Sequence, residues 1–205
     1  MRGERGSAAL VVAVVRDGYT RPFVRPPRHA KHVRVLVALA AIAAFAIVAV
    51  PGAQARSAGE PAVDAEIERE VFAAINQTRR TQGVSPLRRS GDLTTATRTH
   101  ATAMGREGFF SHSSADGTSA NRRIAAFYED GGSGDWAVSE VIQWAAGTAT
   151  AEEALEAWLA SDPHRRELLR PSWREVGVGV VRVGGAPGVF GGRSVTILVV
   201  DFGRR

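Results

Sequence analysis

Two histidines and one glutamate are the side chains of this sequence whose surroundings could support chemistry. His164 follows Asp162-Pro163, a pair that predicts the first turn of a helix because aspartate caps helices and proline fits their first position. The free backbone N–H groups and the positive end of the helix dipole favour a neutral imidazole there. A neutral imidazole can bind a metal ion or accept a proton. The simpler interpretation is a surface or half-buried histidine at a helix end.

The other two candidates stand at less regular positions. His112 lies among small polar residues directly after Gly108-Phe109-Phe110, where it could face a cleft. Glu140 is the one carboxylate in the apolar run Val138–Ile142. On a strand edge such a glutamate would face solvent. If it faces inward it needs a partner, because a lone buried carboxylate is costly.

Together, two imidazoles and one carboxylate could do more than one kind of chemistry. They form a three-ligand set for Zn²⁺ or another divalent cation that leaves positions open for water. The same three groups could act as acid and base without a metal. A Ser–His–carboxylate triad is formally available from Ser111 or Ser161. It is disfavoured because a predicted helix break separates Ser161 from His164 and no nucleophile-elbow motif is present.

The first 55 residues do not resemble the rest of the chain. The run 35–50 is apolar throughout, basic residues precede it, and Ala53-Gln54-Ala55 follows the helix-breaking Pro51-Gly52. This order predicts a secretory signal peptide within an N-terminal extension, residues 1–55, with cleavage after Ala55. The alternative is a retained anchor in the cytoplasmic membrane, which would be the protein's membrane contact, but the run is short for a span.

Charge and cysteine content bound the function of the remainder. The whole chain carries a net charge of +5, but residues 56–205 hold 18 basic and 19 acidic residues, a net charge of −1. The basic balance therefore belongs to the predicted leader and does not indicate nucleic-acid binding. There is no cysteine, so a secreted domain of this length must rely on its core for stability.

The periodicity of the remainder predicts helices first and strands last. After a linker at 56–65, helices are expected at about 66–82, 92–107 and 121–127. Another, capped by Thr150 and Glu153, carries Trp158 on its apolar stripe. His100 lies on the apolar face of the second helix and is predicted to be a core or boundary histidine rather than a ligand. Alternation at 173–183 and an apolar run at 194–202 predict an antiparallel hairpin whose second strand is central. This order is typical of an α+β domain.

In this order the pieces resemble the CAP superfamily of cysteine-rich secretory, antigen 5 and pathogenesis-related proteins, and within it the cysteine-free bacterial branch of SCP-like domains. The resemblance covers roughly residues 66–203, nearly all of the predicted mature chain. The matching residues are Asn76, Arg79, Gly83, Leu87, Leu93, Ala96, His100, Ala101, Met104, Phe110-Ser111-His112, Asp116-Gly117-Thr118, Arg123-Ile124, Glu140, Trp158, Ser161, His164-Arg165, Leu168-Leu169, Gly177-Val178-Gly179-Val180 and Asp201-Phe202-Gly203.

The resemblance implies a three-layer α/β/α sandwich with a small antiparallel sheet and a cleft lined by two histidines and two glutamates. The histidines match His112 and His164, and the first glutamate matches Glu140. The second falls on Ser161, as is common in bacterial members. The cleft residues implied are therefore His112, Glu140, Ser161 and His164, with His112 and His164 as metal ligands and Glu140 as a possible third.

Two departures bear on the cleft. The family's Gly-Glu-Asn-Ile-Ala element reads Ser139-Glu140-Val141-Ile142-Gln143, and Glu167 replaces a usual asparagine. Because one carboxylate is missing and the element around Glu140 is altered, we expect a secreted, non-catalytic binding module of the cell envelope or extracellular space. Its ligand would be a small molecule, a lipid or another envelope component. The alternatives are a metal-dependent hydrolase acting on peptide or envelope substrates and a structural or protein-interaction domain.

Overall fold

The computed structural model describes residues 59–132 and 134–205 and the backbone of residues 11–15. The predicted apolar run 35–50 and the cleavage site after Ala55 lie outside the described residues. Residues 11–15 belong to the same compact unit as the chain from residue 59 onward. Among the described residues, no helix is both long enough and apolar enough to cross a membrane.

Among the described residues, five α-helices form where the sequence places apolar stripes and capping residues. Asp64 caps the first helix by accepting a hydrogen bond from the Ile67 N–H, Ser90 caps the second, and Gly108 ends the second in the left-handed conformation that glycine allows. The predicted capping box of Thr150 and Glu153 is present on the fourth helix. The helices are α1 (Ala65–Thr81), α2 (Gly91–Glu107), α3 (Ala120–Ala125), α4 (Ala151–Ala160) and α5 (Asp162–Leu168).

The strands of the described part of the chain form one sheet of six. Its order is β1-β4-β6-β5-β2, and β3 pairs with β5 in parallel. The two last strands form the predicted antiparallel hairpin, and β6 is flanked by β4 and β5 as expected for a central strand. The strands are β1 (Val11–Val15), β2 (Ala62–Val63), β3 (Arg88–Arg89), β4 (Ala137–Ala146), β5 (Glu175–Ala186) and β6 (Arg193–Arg204).

Helices cover both faces of the sheet. On one face α1, α4 and α5 enclose a core with Trp158 and Trp173 at its centre, and Val141 of β4 faces this core. On the other face α2 packs against β5 and β6, and Ile142 of β4 faces that side. The α+β class and the layered sandwich predicted from the sequence are confirmed.

Close packing of α2 on β5 depends on two glycines. A Cβ added to Gly177 would lie 2.2 Å from the Leu93 carbonyl carbon, and one added to Gly179 would lie 2.6 Å from the Arg98 backbone nitrogen. Both distances are far below van der Waals contact. The alternating valines and glycines of β5 therefore let the helix backbone lie directly on the strand, which brings the end of α2 and its following loop close to β4 and β6.

The structure corrects three details of the sequence prediction. Asp162 is the first residue of α5, and Ser161 is the capping residue before it, with no capping hydrogen bond from its side chain. β4 is ten residues long, twice the apolar run that suggested it. A strand also forms at Val11–Val15, inside the predicted N-terminal extension, where the sequence analysis placed none.

Candidate functional site

His112 and Glu140 meet directly. Nδ1 of His112 lies 2.7 Å from Oε1 of Glu140, so the ring donates its Nδ1–H to the carboxylate. The glutamate is fully buried, and the histidine side chain is 13% exposed. Of the two positions considered for Glu140, the structure shows the inward one. His112 is brought to it by the loop that leaves α2 at Gly108.

Arg123 of α3 completes the neutralisation of Glu140. Its Nη2 donates to Oε2 of Glu140 at 2.5 Å, and its Nη1 donates to the backbone carbonyl of His112 at 2.7 Å. One guanidinium therefore fixes both the carboxylate and the loop that carries the histidine. Because two fixed donors hold the carboxylate, its orientation does not depend on the missing asparagine of the family element.

The charge state of Glu140 follows from these partners. Burial alone would raise the pKa of its carboxyl group, but the His112 hydrogen bond and the positive charge of Arg123 outweigh burial, and the pKa is lowered. Glu140 is therefore ionised at neutral pH, and both of its oxygens are engaged.

Asp201 of β6 is the cross-strand partner of Glu140 and is also fully buried. Burial raises the pKa of its carboxyl group well above the usual value, and the negative charge of Glu140 raises it further. The two neighbouring carboxyl groups therefore have pKa values pushed in opposite directions, so Asp201 keeps its proton to a higher pH than Glu140 does.

His100 supports the same loop from inside the core. Its Nε2 lies 2.8 Å from the carbonyl oxygen of Ser111, so Nε2 carries the hydrogen and donates it. The residue is 1% exposed, and burial lowers its pKa to about 4. Of the two positions predicted for His100, core or boundary, the structure shows the core position. Its hydrogen bond holds the residue next to His112.

His164 and Ser161 form a second pair. Nδ1 of His164 lies 2.7 Å from the hydroxyl oxygen of Ser161. The histidine is 4% exposed and belongs to α5, the layer that contacts the Val141 side of β4. Strand alternation places Glu140 on the opposite side, with Ile142. A cleft common to both pairs would have to open at the edge of β4, so the four-residue cleft stays a prediction.

The metal prediction also stays open. In the part of the chain that the structure describes, no three histidine, aspartate or glutamate side chains are grouped as metal ligands. Nε2 of His112 is buried without a hydrogen-bond partner among these residues, and it is the atom of this cluster that could bind a ligand. Glu140 is placed behind His112, where a carboxylate orients an imidazole rather than binding the metal itself.

Two residues of this cluster were missed as site residues by sequence reasoning. Arg123 entered only as part of the family pattern, although a buried Glu140 required a cationic or hydrogen-bonding partner somewhere in the chain. Asp201 had one available signal, a single acid inside an apolar strand expected to be central. Neither signal names its partner, because the contacts join α3, β4 and β6 across the fold.

Comparisons with known proteins identify the family of the chain. Residues 72–202 match the sequence profile of CAP, the cysteine-rich secretory protein family. The chain belongs to this family. The resemblance stated from the sequence is therefore confirmed, and the absence of cysteine fits the cysteine-free branch.

This CAP-domain chain is similar to an uncharacterized bacterial protein and, in fold, to an outer surface protein of known structure. The uncharacterized protein YkwD of Bacillus subtilis strain 168 is 31% identical over 120 residues, which are 57% of this chain and 43% of that protein. The chain thus spans less than half of this relative. An outer surface protein of Borrelia burgdorferi aligns with a TM-score of 0.56 and 20% identity over 72% of this chain and 98% of that one.

A second solved structure is an extracellular protein of Bacillus anthracis strain Ames that contains an SCP domain. It aligns with a TM-score of 0.51 and 21% identity over 67% of this chain and 40% of that one. At these identities the alignments show a shared fold. They do not carry a ligand or an activity from one protein to another.

Proposed function

We propose that this chain is an exported CAP-domain binding module that holds a small or apolar ligand beside His112 and does not turn it over. The observation that carries the proposal is the state of Glu140. Both of its oxygens are engaged, by His112 and by Arg123, in a fully buried position. A carboxylate that acts as a general base must present an oxygen to its substrate, and both oxygens of Glu140 are buried and hydrogen-bonded within the protein.

The atom left to meet a ligand is Nε2 of His112. In a neutral ring that donates Nδ1–H to Glu140, Nε2 carries the lone pair and can accept a hydrogen bond from a hydroxyl or protonated acid group. The half-buried rings of Phe109 and Phe110 pack on the neighbouring core. One acceptor on a loop that also carries two aromatic rings suits a mostly apolar molecule with one polar end.

Export is the second part of the proposal. It is supported by the predicted leader with its Ala53-Gln54-Ala55 site and by the near-neutral remainder that follows it. An outer surface protein and an extracellular protein among the solved relatives are consistent with it. The module would act in the cell envelope or outside the cell.

Metal-dependent hydrolysis is the second candidate, and the His112–Glu140 hydrogen bond favours it. A carboxylate behind an imidazole is the usual support of a metal-binding histidine. His112 and His164 would hold the ion, whose bound water would supply a nucleophile near neutral pH. Two protein ligands are fewer than the three that catalytic zinc sites use, so this candidate ranks below binding.

Turnover assays separate the two candidates. The full chain is incubated with casein and with p-nitrophenyl esters, with and without Zn²⁺, next to a His112→Ala/His164→Ala double variant. We expect no hydrolysis above the level of the double variant in any condition. Zinc-dependent hydrolysis that disappears in the double variant would replace the binding proposal by the hydrolase.

A further inference from the structure

The described helices leave the outer edge of β4 open to pairing with another strand. It is the longest such edge among the described strands. β4 pairs with β6 on one side, and on the other side it pairs antiparallel with β1, from Val11 opposite Trp144 to Val15 opposite Glu140. The edge of β5 on the far side of the sheet is covered by the two-residue strands β2 and β3.

β4 lacks the features that normally protect an edge strand. Its ten residues contain no lysine, arginine, proline or glycine, and its one charged residue, Glu140, points inward to Arg123. Exposed strands of this length and composition pair with other chains unless they are covered. The chain covers this one with its own residues 11–15, which lie within the predicted leader and would leave the exported protein with it.

The space beside β4 suits a single strand. β1 contacts α5 as well as β4, so the added strand lies between the sheet edge and a helix. A second copy of this domain would bring its own helical layers to the same edge, where α5 already stands. An extended peptide has no such layers and adds to a sheet edge through its backbone alone.

Gln143 provides an independent sign of a ligand at this edge. The residue is fully buried in β4, on the face shared with Val141 and Ala145. Both atoms of its amide group lack a hydrogen-bond partner among the described residues. Its register partner in β1 is Val12, which has no polar side-chain atom. Paired residues of adjacent strands point to the same face of a sheet, so a hydroxyl at that position of a bound strand could satisfy the amide.

We propose that the outer edge of β4 is a docking site for extended, mainly apolar peptides, which the uncleaved chain fills with its own residues 11–15. The peptide adds as an antiparallel strand, one end reaches Glu140 and His112, and Gln143 selects a residue with a hydroxyl group at the position of Val12. The site does not depend on the ligand proposed for His112. Binding of a ligand at His112 and binding of a peptide at the edge of β4 can therefore succeed or fail separately.

Cross-linking tests the pairing in the full chain. The sequence has no cysteine, so a Val12→Cys/Gln143→Cys variant carries one possible disulfide between register partners. The control, Ala13→Cys/Gln143→Cys, is shifted by one residue and places the two thiols on opposite faces. We expect mild oxidation to cross-link the first variant and leave the control reduced. Equal cross-linking of both would overturn the register, and cross-linking of neither would overturn the pairing.

Peptide binding tests the docking site itself. The backbone N–H groups of β1 point alternately to its two sides. The full-length variant Ala13→Pro/Val14→Pro removes one N–H on each side, so β1 can no longer pair. A fluorescent peptide of residues 8–17 is added to it, and anisotropy is measured. We expect binding to this variant and none to the wild-type chain, whose edge is filled. Dimerisation of the variant without peptide binding would overturn the proposal in favour of a second copy.

Two matched peptide series identify the mode of binding. N-methylation at positions 11, 13 and 15 blocks one set of backbone donors, and methylation at 12 and 14 blocks the other. One peptide should lose binding and the other should keep it, because alternate amides face the neighbouring strand. A Val12→Thr peptide should bind about fivefold more tightly, and a Val14→Thr peptide, opposite Val141, more weakly. Loss of the threonine preference in Gln143→Leu protein supports the assignment, and an unchanged preference contradicts it.

Discussion

At the scale of single residues, the cluster around Glu140 holds one buried carboxylate between two fixed donors. Arg123 neutralises the carboxylate, His112 donates to it, and the pKa of the neighbouring Asp201 is raised. A buried ion pair of this kind contributes little net stability, whereas removal of one partner costs several kcal/mol. The cluster therefore specifies a geometry, and its titration can be tested residue by residue.

His100 should make the domain sensitive to acid. Its pKa is lowered from 6.5 to about 4 in the folded state, so between these values the unfolded chain binds a proton that the folded chain does not. Stability is therefore lost as the pH falls through this range, by about 3 kcal/mol in total. His100→Gln keeps a donor for Ser111 and should show a weaker decline. Urea unfolding of both proteins at pH 7 and pH 4 measures it, and parallel declines would contradict the assignment.

Asp201 should have the opposite pH dependence. Its pKa is raised by burial and by Glu140, so as the pH rises above about 4 the unfolded chain releases a proton that the folded chain keeps. Stability is then lost with rising pH until the folded pKa is passed. Asp201→Asn removes this loss. The difference in melting temperature between Asp201→Asn and the wild type should increase in favour of the variant from pH 5 to pH 8. A constant difference would show that Asp201 is ionised in the fold.

At the scale of elements, the helix bounds could be predicted from the sequence because local patterns determine them. α1, α2 and α4 begin and end close to the predicted residues because their apolar stripes are bounded by Asp64, Ser90, Gly108 and Thr150. The direction of Glu140 could not be predicted. β4 is buried on both faces, so its sequence has no polar alternation to say which residues face α2. The Arg123 contact joins residues 17 positions apart on different elements.

The packing of α4 is tested by its tryptophan. Trp158 is fully buried in the core beneath α1 and α4, so Trp158→Ala should lower the free energy of unfolding by about 3–5 kcal/mol. That is a large part of the 5–15 kcal/mol typical of a domain, roughly a fifth or more. Glu156→Ala, at an exposed position of the same helix, is the matched control. Chemical unfolding measures both, and equal small effects would mean that α4 does not pack as described.

At the scale of the whole molecule, the predicted leader decides whether the edge of β4 is covered. The chain that retains residues 11–15 has its sheet edge covered, and a chain cleaved after Ala55 does not. Cleavage would therefore change which surface the domain presents, without any change in its core.

Export should yield a chain that begins at Arg56. The protein, expressed in a bacterial host with its own N-terminus, is recovered from outside the cytoplasm and its intact mass is measured. We expect the mass of residues 56–205. An Ala53→Leu/Ala55→Leu variant, which removes the small residues of the cleavage site, should keep the full-length mass. Full-length wild-type protein in the membrane fraction would show that the leader is a retained anchor.

The most direct test of the binding module is the affinity of the His112 cluster for an apolar probe with one polar end. Binding of cis-parinaric acid to the full chain is followed by fluorescence, together with His112→Leu and the control Ser119→Ala, an exposed residue without a capping hydrogen bond. Melting curves establish that all three proteins are folded. The account predicts saturable binding by wild type and control and at least tenfold weaker binding by His112→Leu, because Nε2 is the acceptor for the acid group. Equal binding by all three folded proteins, or no binding by the wild type, would contradict it.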